Sequence, residues 1–337
     1  MTGAASPLAL AERGRQVLPG VIASAIVASA ASFLAEHYSA PVMLLALLLG
    51  MSMNFLSKQG SASAGIEFAA REILRIGVAL LGLRITLDQI AGLGWQVVVL
   101  VVVSMAATIL VSMAAARTLR FNVLFGFLTG GATAICGVSA ALALAASLPA
   151  HPAKERATSF TVVGVSALST LAMVFYPMLA QWLGLSPHAT GVFLGATIYD
   201  VAQVVGAGYS VSREVGDTAT VVKLMRVALL VPVIVCATSI ARARGDVTGG
   251  VRAPLLPWFA VVFILLAVVN STGLVVADIR QLGSELSRWC LIVAISAIGM
   301  KTRLQELATV GLRPIVLMVG ETLFLAALVL ALWRVLA

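Results

Sequence analysis

Charged residues are scarce in this sequence. Asp, Glu, Lys and Arg make up 11% of its 337 residues, whereas hydrophobic residues make up 61%. This composition excludes an ordinary soluble core surrounded by a charged surface. Most of the apolar runs are about 17 to 27 residues long, which suits helices that cross a hydrocarbon layer of roughly 30 Å and is too long for barrel strands. The sequence therefore predicts an all-α polytopic membrane protein.

The motifs of several enzyme classes are missing as well. The sequence has three histidines and no HExxH helix, nucleophile elbow or Walker A loop, so the usual patterns of metal-assisted hydrolysis, serine hydrolysis and ATP hydrolysis do not occur. Cys136, Cys236 and Cys290 fall in predicted spans, without disulfide or metal-ligand spacing. We therefore expect no enzyme, no metal and no cofactor, apart from coupling to H⁺ or Na⁺.

Apolar segments separated by short connections fill the chain. They lie at 17–36, 41–57, 72–87, 94–116, 121–149, 157–184, 188–210, 219–241, 255–276, 286–300 and 310–336. The connections leave no room for a soluble domain.

Two parts of the chain match each other at an offset of 217 residues. Gly82 aligns with Gly299 and Arg84 with Lys301, each pair at the end of an apolar segment. The copies are an odd number of segments apart, so they have opposite orientations, as in the inverted repeats of many secondary transporters. We expect a single transmembrane domain over 1–337, with a first repeat (17–120), a first broken helix (121–150), a second broken helix (188–212) and a second repeat (219–337).

Two glycine-rich motifs interrupt the apolar segments. The first reads GGATAICGVS over 130–139, and the second reads GATIYDVAQ over 195–203. Glycine inside a helix costs roughly 1 kcal/mol relative to alanine, and a loosened backbone at membrane depth is tolerated only where it is buried in protein or lines a water-filled cavity. We therefore expect two broken or re-entrant helices among about 9–11 transmembrane segments. Such a pair of interruptions indicates a transporter's substrate site.

The net charge of +8 comes from basic residues that lie mostly between or at the ends of apolar runs. Positive-inside topology and anionic lipid headgroups account for them there, and no basic stripe with interleaved aromatic residues indicates nucleic-acid binding. If both glycine-rich segments are re-entrant, Lys and Arg divide about 15 to 7 in favour of the N-terminal side. The N-terminus is therefore expected in the cytoplasm.

A break near residues 134–138 would create an anion site. The segment from Ser139 onward then starts a half-helix whose free amide groups attract negative charge. The alternative is that the small residues here only allow close helix packing. The substrate-binding residues that we expect are Thr133, Cys136, Gly137, Ser139, Thr197 and Gln203.

Two acids lie inside predicted spans, where an ionisable side chain is costly and functional by default. Asp200 and Gln203 are three apart, as in a capping box that starts a helix. Asp200 therefore caps a helix, binds a proton or Na⁺, or does both. Glu321 is a second candidate for ion coupling, with plain interhelical hydrogen bonding as its alternative.

Two pairs of polar residues have simpler alternatives. Asn54 and Asn270, at repeat-related positions, either line the cavity or cap helix C-termini. Lys223 and Arg226 are three apart on one helical face, at the start of an apolar segment. We interpret them as orientation signals rather than as substrate ligands.

Three motifs carry a resemblance to a known family: GGATAICGVSAALALA (130–145), GATIYDVAQVVGAG (195–208) and ALLGLRITL (79–87). They resemble the YeiH-type family of bacterial inner-membrane proteins, catalogued as sulfate exporters, over nearly the whole chain. The resemblance implies a transporter with inverted repeats and interrupted helices, distantly similar to the cation-proton antiporter and anion transporter superfamily. In many members of the family a histidine precedes the acid of the second motif. Tyr199 stands there in this chain, so it is a secondary site candidate and a His-Asp mechanism is not implied.

These observations together predict a secondary transporter that moves a small anion by alternating access. The resemblance implies that the anion is sulfate or an organosulfonate and that the membrane is the bacterial inner membrane. A cation-coupled (Na⁺/H⁺) exchanger or channel that uses Asp200 is the alternative. The expected partners are the small anionic substrate and membrane lipids, with a homodimer left open and no nucleic acid.

Overall fold

The structure, a computed structural model, describes residues 7–38, 40–58, 60–148, 154–243, 258–273, 275–302 and 312–336. Helices dominate these ranges, and no strand occurs within them. The helices in chain order are α1 (Pro7–Tyr38), α2 (Val42–Ser52), α3 (Gly60–Phe68), α4 (Leu74–Leu80), α5 (Leu87–Ala91), α6 (Gly94–Thr118), α7 (Val123–Ala134), α8 (Val138–Ser147), α9 (Lys154–Trp182), α10 (Pro187–Thr197), α11 (Val201–Val211), α12 (Arg213–Ala228), α13 (Leu230–Ala243), α14 (Trp258–Ser271), α15 (Ala277–Lys301) and α16 (Leu312–Leu336).

Six helical stretches of the described chain are long and apolar enough to cross a membrane. They lie in α1, α6, α9, α12 with the start of α13, α15 and α16, and shorter apolar helices such as α7 and α11 accompany them. The predicted class, an all-α polytopic membrane protein, is confirmed. The predicted number of about 9–11 crossings stays a prediction, because the six helical stretches are candidate spans by length and composition only.

Several helices begin directly after a capping residue and not where the apolar segment of the sequence begins. Asn122 caps α7, Ser186 caps α10 ahead of Pro187, and Ser212 caps α12, each by accepting a backbone N–H bond from the first turn. As a result α12 begins at Arg213, whereas the apolar segment predicted there begins at residue 219. Polar first turns lower the local hydropathy without ending a helix.

The chain divides into two compact units. Unit 1 consists of Met1–Leu87 and Phe259–Thr302, and unit 2 of Asp88–Trp258 and Arg303–Ala337. Each unit therefore contains parts of both predicted repeats. The single transmembrane domain and its repeat boundaries stay predictions.

In unit 1, two asparagines bind the C-terminal ends of helical segments that belong to the other predicted repeat. The amide nitrogen of Asn54 donates to the carbonyl oxygens of Met300 (2.6 Å) and Thr302 (3.1 Å), and that of Asn270 donates to Ile85 O (3.3 Å). Asn54 and Asn270 are 216 residues apart, and Ile85 and Thr302 are 217 apart. Of the two predicted roles, contact with helix C-termini is observed, although each asparagine holds the end of a distant segment. The cavity-lining role stays a prediction. The two sets of contacts are spaced by the repeat offset, and the inverted repeat itself stays a prediction.

Two repeat-related glycines likewise pack against the backbone of the other predicted repeat. A Cβ on Gly82 would lie 2.2 Å from the carbonyl oxygen of Phe263, and one on Gly299 would lie 2.4 Å from that of Leu47. Phe263 and Leu47 are again 216 residues apart. Close backbone packing thus follows the repeat offset on both sides of unit 1.

We expect Gly82→Ala and Gly299→Ala each to destabilise the protein by about 1–3 kcal/mol, because the added methyl group overpacks a backbone contact. Thermal unfolding of the purified protein in detergent measures this effect. Gly60→Ala is the matched control, since nothing lies within 4 Å of a Cβ at that position. A cost at one member of the pair alone would contradict equivalent packing of the two repeats.

Unit 2 holds both glycine-rich motifs. In it α7 packs against α6, α8 and α9, while α10 packs against α12, and α16 packs against α6, α7, α9 and α10. A buried apolar cluster that includes Leu128, Ile135, Leu144 and Ile234 surrounds the first motif. The motifs are therefore enclosed by neighbouring helices of their own unit.

Candidate functional site

The first motif contains a helix interruption. α7 ends at Ala134 and α8 begins at Val138, with Ile135 at φ −111° and ψ −84° between them. Gly137, the residue before α8, has φ 62° and ψ −120°. An L-residue with a side chain rarely adopts a positive φ, whereas glycine does so at little cost. Gly137 therefore allows the chain to leave one helix and start the next.

We expect Gly137→Ala to destabilise the protein by about 1–3 kcal/mol, because it forces a side chain into a sparsely populated backbone region. The new Cβ would also lie 3.3 Å from Cβ of Tyr199 in the second motif. Thermal unfolding in detergent measures the loss. Gly320→Ala on α16 is the control, since its Cβ meets nothing within 4 Å, and alanine there should be neutral or slightly stabilising. Equal unfolding temperatures for wild type and Gly137→Ala would contradict this account.

The second motif contains the other interruption. α10 ends at Thr197 and α11 begins at Val201, with Ile198 and Asp200 in extended conformations between them. Asp200 caps α11, because its Oδ1 accepts the N–H of Ala202 at 2.8 Å. One of its predicted roles, the helix cap, is thus observed. The coupling role stays a prediction.

In a capping box the Gln203 side chain would accept the N–H of Asp200, and in the described structure Gln203 Oε1 does not accept it. The Asp200 N–H donates to the Ser169 hydroxyl on α9 at 3.3 Å, and the Gln203 amide nitrogen donates to the Thr170 hydroxyl at 3.0 Å. Because α9 supplies the acceptor for the Asp200 N–H, Gln203 is not needed there. The Gln203 side chain points instead toward α9.

Lys223 and Arg226 on α12 join the two interruptions. They are 0% and 2% exposed. The Lys223 ammonium donates to Ile135 O at 2.6 Å and to Ile198 O at 3.0 Å, one carbonyl from each motif. The Arg226 guanidinium donates through Nε to Ala134 O (2.9 Å), through Nη1 to Gly195 O and Ile198 O (both 3.1 Å), and through Nη2 to Thr133 O (3.0 Å) and Ala134 O (2.5 Å).

These bonds satisfy carbonyl groups that helix ends leave without partners. The last carbonyls of α7 and α10 have no intrahelical donor, and each helix C-terminus is equivalent to about half a negative charge. A guanidinium carries five N–H groups, and the five contacts of Arg226 account for all of them. Arg226 therefore neutralises two converging helix ends at once.

The interpretation of Lys223 and Arg226 as orientation signals is wrong. Because α12 starts at Arg213, both side chains lie well inside it, on one face and in a fully buried position. The sequence did contain a signal for this position. Ser212 is a typical N-cap residue, and a helix that starts after it has Lys223 and Arg226 well inside a membrane span.

Glu321, near the middle of α16, is 4% exposed and is bound by hydroxyl groups. Its Oε1 accepts from Ser112 on α6 and from Thr129 on α7 (2.7 Å), and its Oε2 accepts from Thr133 (3.1 Å). The carbonyl oxygen of Thr133 also accepts a hydrogen bond from Arg226. The predicted interhelical hydrogen bonding of Glu321 is observed, and one residue connects it to the first interruption.

The remaining predicted site residues differ in their surroundings. Cys136 is buried within the first interruption, whereas Ser139 is exposed on α8. Thr197 donates to Phe193 O of its own helix at 2.6 Å, and the Tyr199 hydroxyl donates to Thr322 on α16. The hydroxyl protons of Thr197 and Tyr199 are therefore already used within the protein.

Two buried polar atoms near the second interruption lack a protein partner in the part of the chain that the structure describes. They are the Oε1 atom of Gln203, a side chain only 5% exposed, and the hydroxyl of Tyr176 on α9. The Thr170 hydroxyl donates its proton to Ser166 O, so Gln203 must present its nitrogen to Thr170 and its oxygen elsewhere. Leaving such an atom unpaired costs about 1–3 kcal/mol, so a polar solute or water is needed beside it.

Comparison with known proteins gives the family. The protein-family model described as "Conserved hypothetical protein 698" matches residues 19–318 of this chain. The chain is similar to the UPF0324 membrane protein CT0845 of Chlorobaculum tepidum (54% identical, over 93% of this chain and 88% of that protein) and to the UPF0324 membrane protein TauZ of Paracoccus denitrificans (52%, over 92% and 93%). The TauZ protein of Paracoccus pantotrophus is 50% identical over 94% of both chains. No solved structure is significantly similar to the chain. The protein therefore belongs to the UPF0324 family of multi-pass membrane proteins, as its resemblance to YeiH-type sequences predicted.

Proposed function

We propose that this protein is a secondary transporter that moves a small anion, sulfate or an organosulfonate, across the bacterial inner membrane by alternating access. The observation that carries the proposal is the meeting of two helix interruptions at buried Lys223 and Arg226. Interrupted helices that face each other inside a membrane protein supply helix termini for binding a charged solute. The proposal assigns binding and translocation to these residues, and no catalytic step.

The charges around the interruptions favour an anion. The C-termini of α7 and α10 contribute about −1 in total, and the N-termini of α8 and α11 about +1. Arg226 and Lys223 add two positive charges, and Asp200 removes one. The local sum is therefore about +1 when Glu321 is neutral, so a small anion is the solute that this site attracts.

Lys223 is the group best placed to bind the anion directly. An ammonium group has three N–H donors, and two of them point to Ile135 O and Ile198 O. Within the described residues the third donor has no acceptor, so it can bind a solute. The N–H groups at the start of α8, which has no side-chain cap, add further donors of the kind that bind sulfate and sulfonate oxygens.

A cation-coupled (Na⁺/H⁺) exchanger or channel is the second candidate. The half-buried carboxylate of Asp200 and the Oε1 atom of Gln203 are both acceptors on the first turn of α11, and oxygen acceptors suit a hard cation. This candidate differs from the first because it predicts cation flux when no anion is present. An inner-membrane location with a cytoplasmic N-terminus completes the proposal and is supported by the uneven distribution of Lys and Arg in the sequence.

Reconstituted protein tests the two candidates. Proteoliposomes preloaded with unlabelled sulfate, sulfite, taurine or sulfoacetate are placed in the same labelled compound, and exchange across the bilayer is measured. We expect counterflow of at least one of these compounds, with protein-free liposomes as the control. If no gradient or counter-substrate produces flux of any small anion, while Na⁺ or H⁺ still crosses, the second candidate replaces the first.

A further inference from the structure

The carboxyl group of Glu321 is surrounded by groups that suit both of its protonation states. Ser112 donates to Glu321, and its oxygen also lies 2.7 Å from Gly126 O. Thr129 donates to Glu321 at 2.7 Å, and its oxygen also lies 3.1 Å from Phe125 O. A hydroxyl has one proton to donate, so each of these two hydroxyls has a choice of two acceptors.

This choice makes two complete hydrogen-bond patterns possible. When Glu321 is ionised, Ser112 and Thr129 donate to it and stabilise the buried charge. When Glu321 is protonated, they donate to Gly126 O and Phe125 O instead, and the carboxyl proton is donated to a hydroxyl oxygen. Burying a charge or a polar group without partners is costly, and neither state here is left without them. The surroundings of Glu321 therefore accommodate either protonation state.

The other titratable and charged groups near Glu321 are few in the described helices that pack against α16. The Tyr199 hydroxyl, between α10 and α11, donates to Thr322, and the ring of Tyr176 on α9 packs against Phe193 of α10. The ring of His188 on α10 packs against Trp333, near the C-terminal end of α16. Arg226 is connected to Glu321 through Thr133. The hydrogen-bond partners of the Glu321 carboxyl in the described chain are thus hydroxyl groups.

We propose that Glu321 carries the coupling proton and that the proton and the anion cross the membrane in the same direction. The inference rests on the proposed function, since it concerns the same interruptions. Ionised Glu321 lowers the local charge from about +1 to about 0, so protonation strengthens anion binding and, reciprocally, a bound anion strengthens proton binding. We expect the anion to bind about 5- to 150-fold more tightly to the protonated form, the usual range for coupled sites.

Transport driven by a pH gradient tests the inference separately from the function. Counterflow at equal pH on both sides is measured first, with sulfate, sulfite, taurine and sulfoacetate as probes, and the compound that gives counterflow is used thereafter. In wild type, an acidic exterior should then drive accumulation of that compound, and a pH indicator inside the vesicles should report acidification as it enters. Glu321→Gln, which keeps the shape of the protonated acid, should lose this accumulation and show a counterflow rate that no longer varies with pH. Glu214→Gln, an exposed acid at the start of α12, should behave as wild type.

The outcomes separate the two claims. Wild-type counterflow without any effect of the pH gradient, or accumulation driven by an acidic interior, overturns the coupling inference and leaves anion transport standing. Absence of counterflow for every probe overturns the proposed function and the inference together. The dye measurement uses wild type alone, so poor folding of Glu321→Gln does not prevent a decision. Unchanged gradient-driven accumulation in a well-folded Glu321→Gln variant also overturns the role of Glu321.

Discussion

Lys223→Met should reduce anion counterflow by about 10- to 100-fold, the range that corresponds to losing one charge-assisted hydrogen bond of about 1.5–3 kcal/mol. Methionine fills a similar length of the buried site but has no ammonium group. The local charge falls from about +1 to about 0 when Glu321 is neutral, so the attraction for the anion is lost. The initial rate of counterflow in proteoliposomes measures the effect.

The folded protein should largely survive this substitution. Ile198 O still accepts one bond from Arg226, so of the two carbonyl groups only Ile135 O loses its donor. Removing a buried ammonium also removes the free energy of its desolvation. Arg213→Met is the matched control, since Arg213 is an exposed cation on the same helix. If Lys223→Met transports as fast as this control, Lys223 does not bind the anion.

Arg226→Met should impair folding as well as transport. We expect it to destabilise unit 2 by about 3–5 kcal/mol, because removing one member of a buried charged network leaves its partners unpaired. The carbonyls of Thr133, Ala134 and Gly195 lose the donor that holds them at the two helix ends. Each unpaired buried acceptor costs about 1–3 kcal/mol. The fraction of monodisperse protein after detergent extraction, together with the unfolding temperature, measures the loss.

Arg226→Lys distinguishes charge from geometry. Lysine keeps the positive charge, but its three donors on a flexible chain cannot replace the planar arrangement that reaches α7 and α10 together. We therefore expect Arg226→Lys to be nearly as unstable as Arg226→Met, with Arg213→Lys unaffected. A wild-type unfolding temperature for Arg226→Lys would show that the charge alone stabilises the helix ends.

The interruptions were predictable from local sequence because their causes are local. Gly137 adopts a positive φ that its neighbours disfavour, and Asp200 caps the helix that starts one residue later. Both effects act within a few residues of the chain. The motifs 130–139 and 195–203 therefore indicated where helices end and begin before any packing was known.

The partners of these interruptions depend on distant residues, and here the predictions from sequence were incomplete. Lys223 was assigned to a membrane boundary because hydropathy placed the start of its segment at residue 219, six residues after α12 begins. Glu321 was recognised as a buried acid, but its partner Ser112 lies 209 residues away. Likewise, the offset between Asn54 and Asn270 suggested a repeat without indicating which helix end each would hold. A sequence pattern gives the spacing of residues along one helix, whereas it does not give the distance between helices.

The sequence by itself determined that this chain is a helical membrane protein with two loosened motifs, because hydrophobicity and backbone preference are properties of residues and their near neighbours. The tertiary structure decided what those motifs do to each other. In it, Lys223 and Arg226 donate hydrogen bonds to the carbonyl groups at the C-terminal ends of α7 and α10, because buried carbonyl groups need donors that their own helices cannot supply.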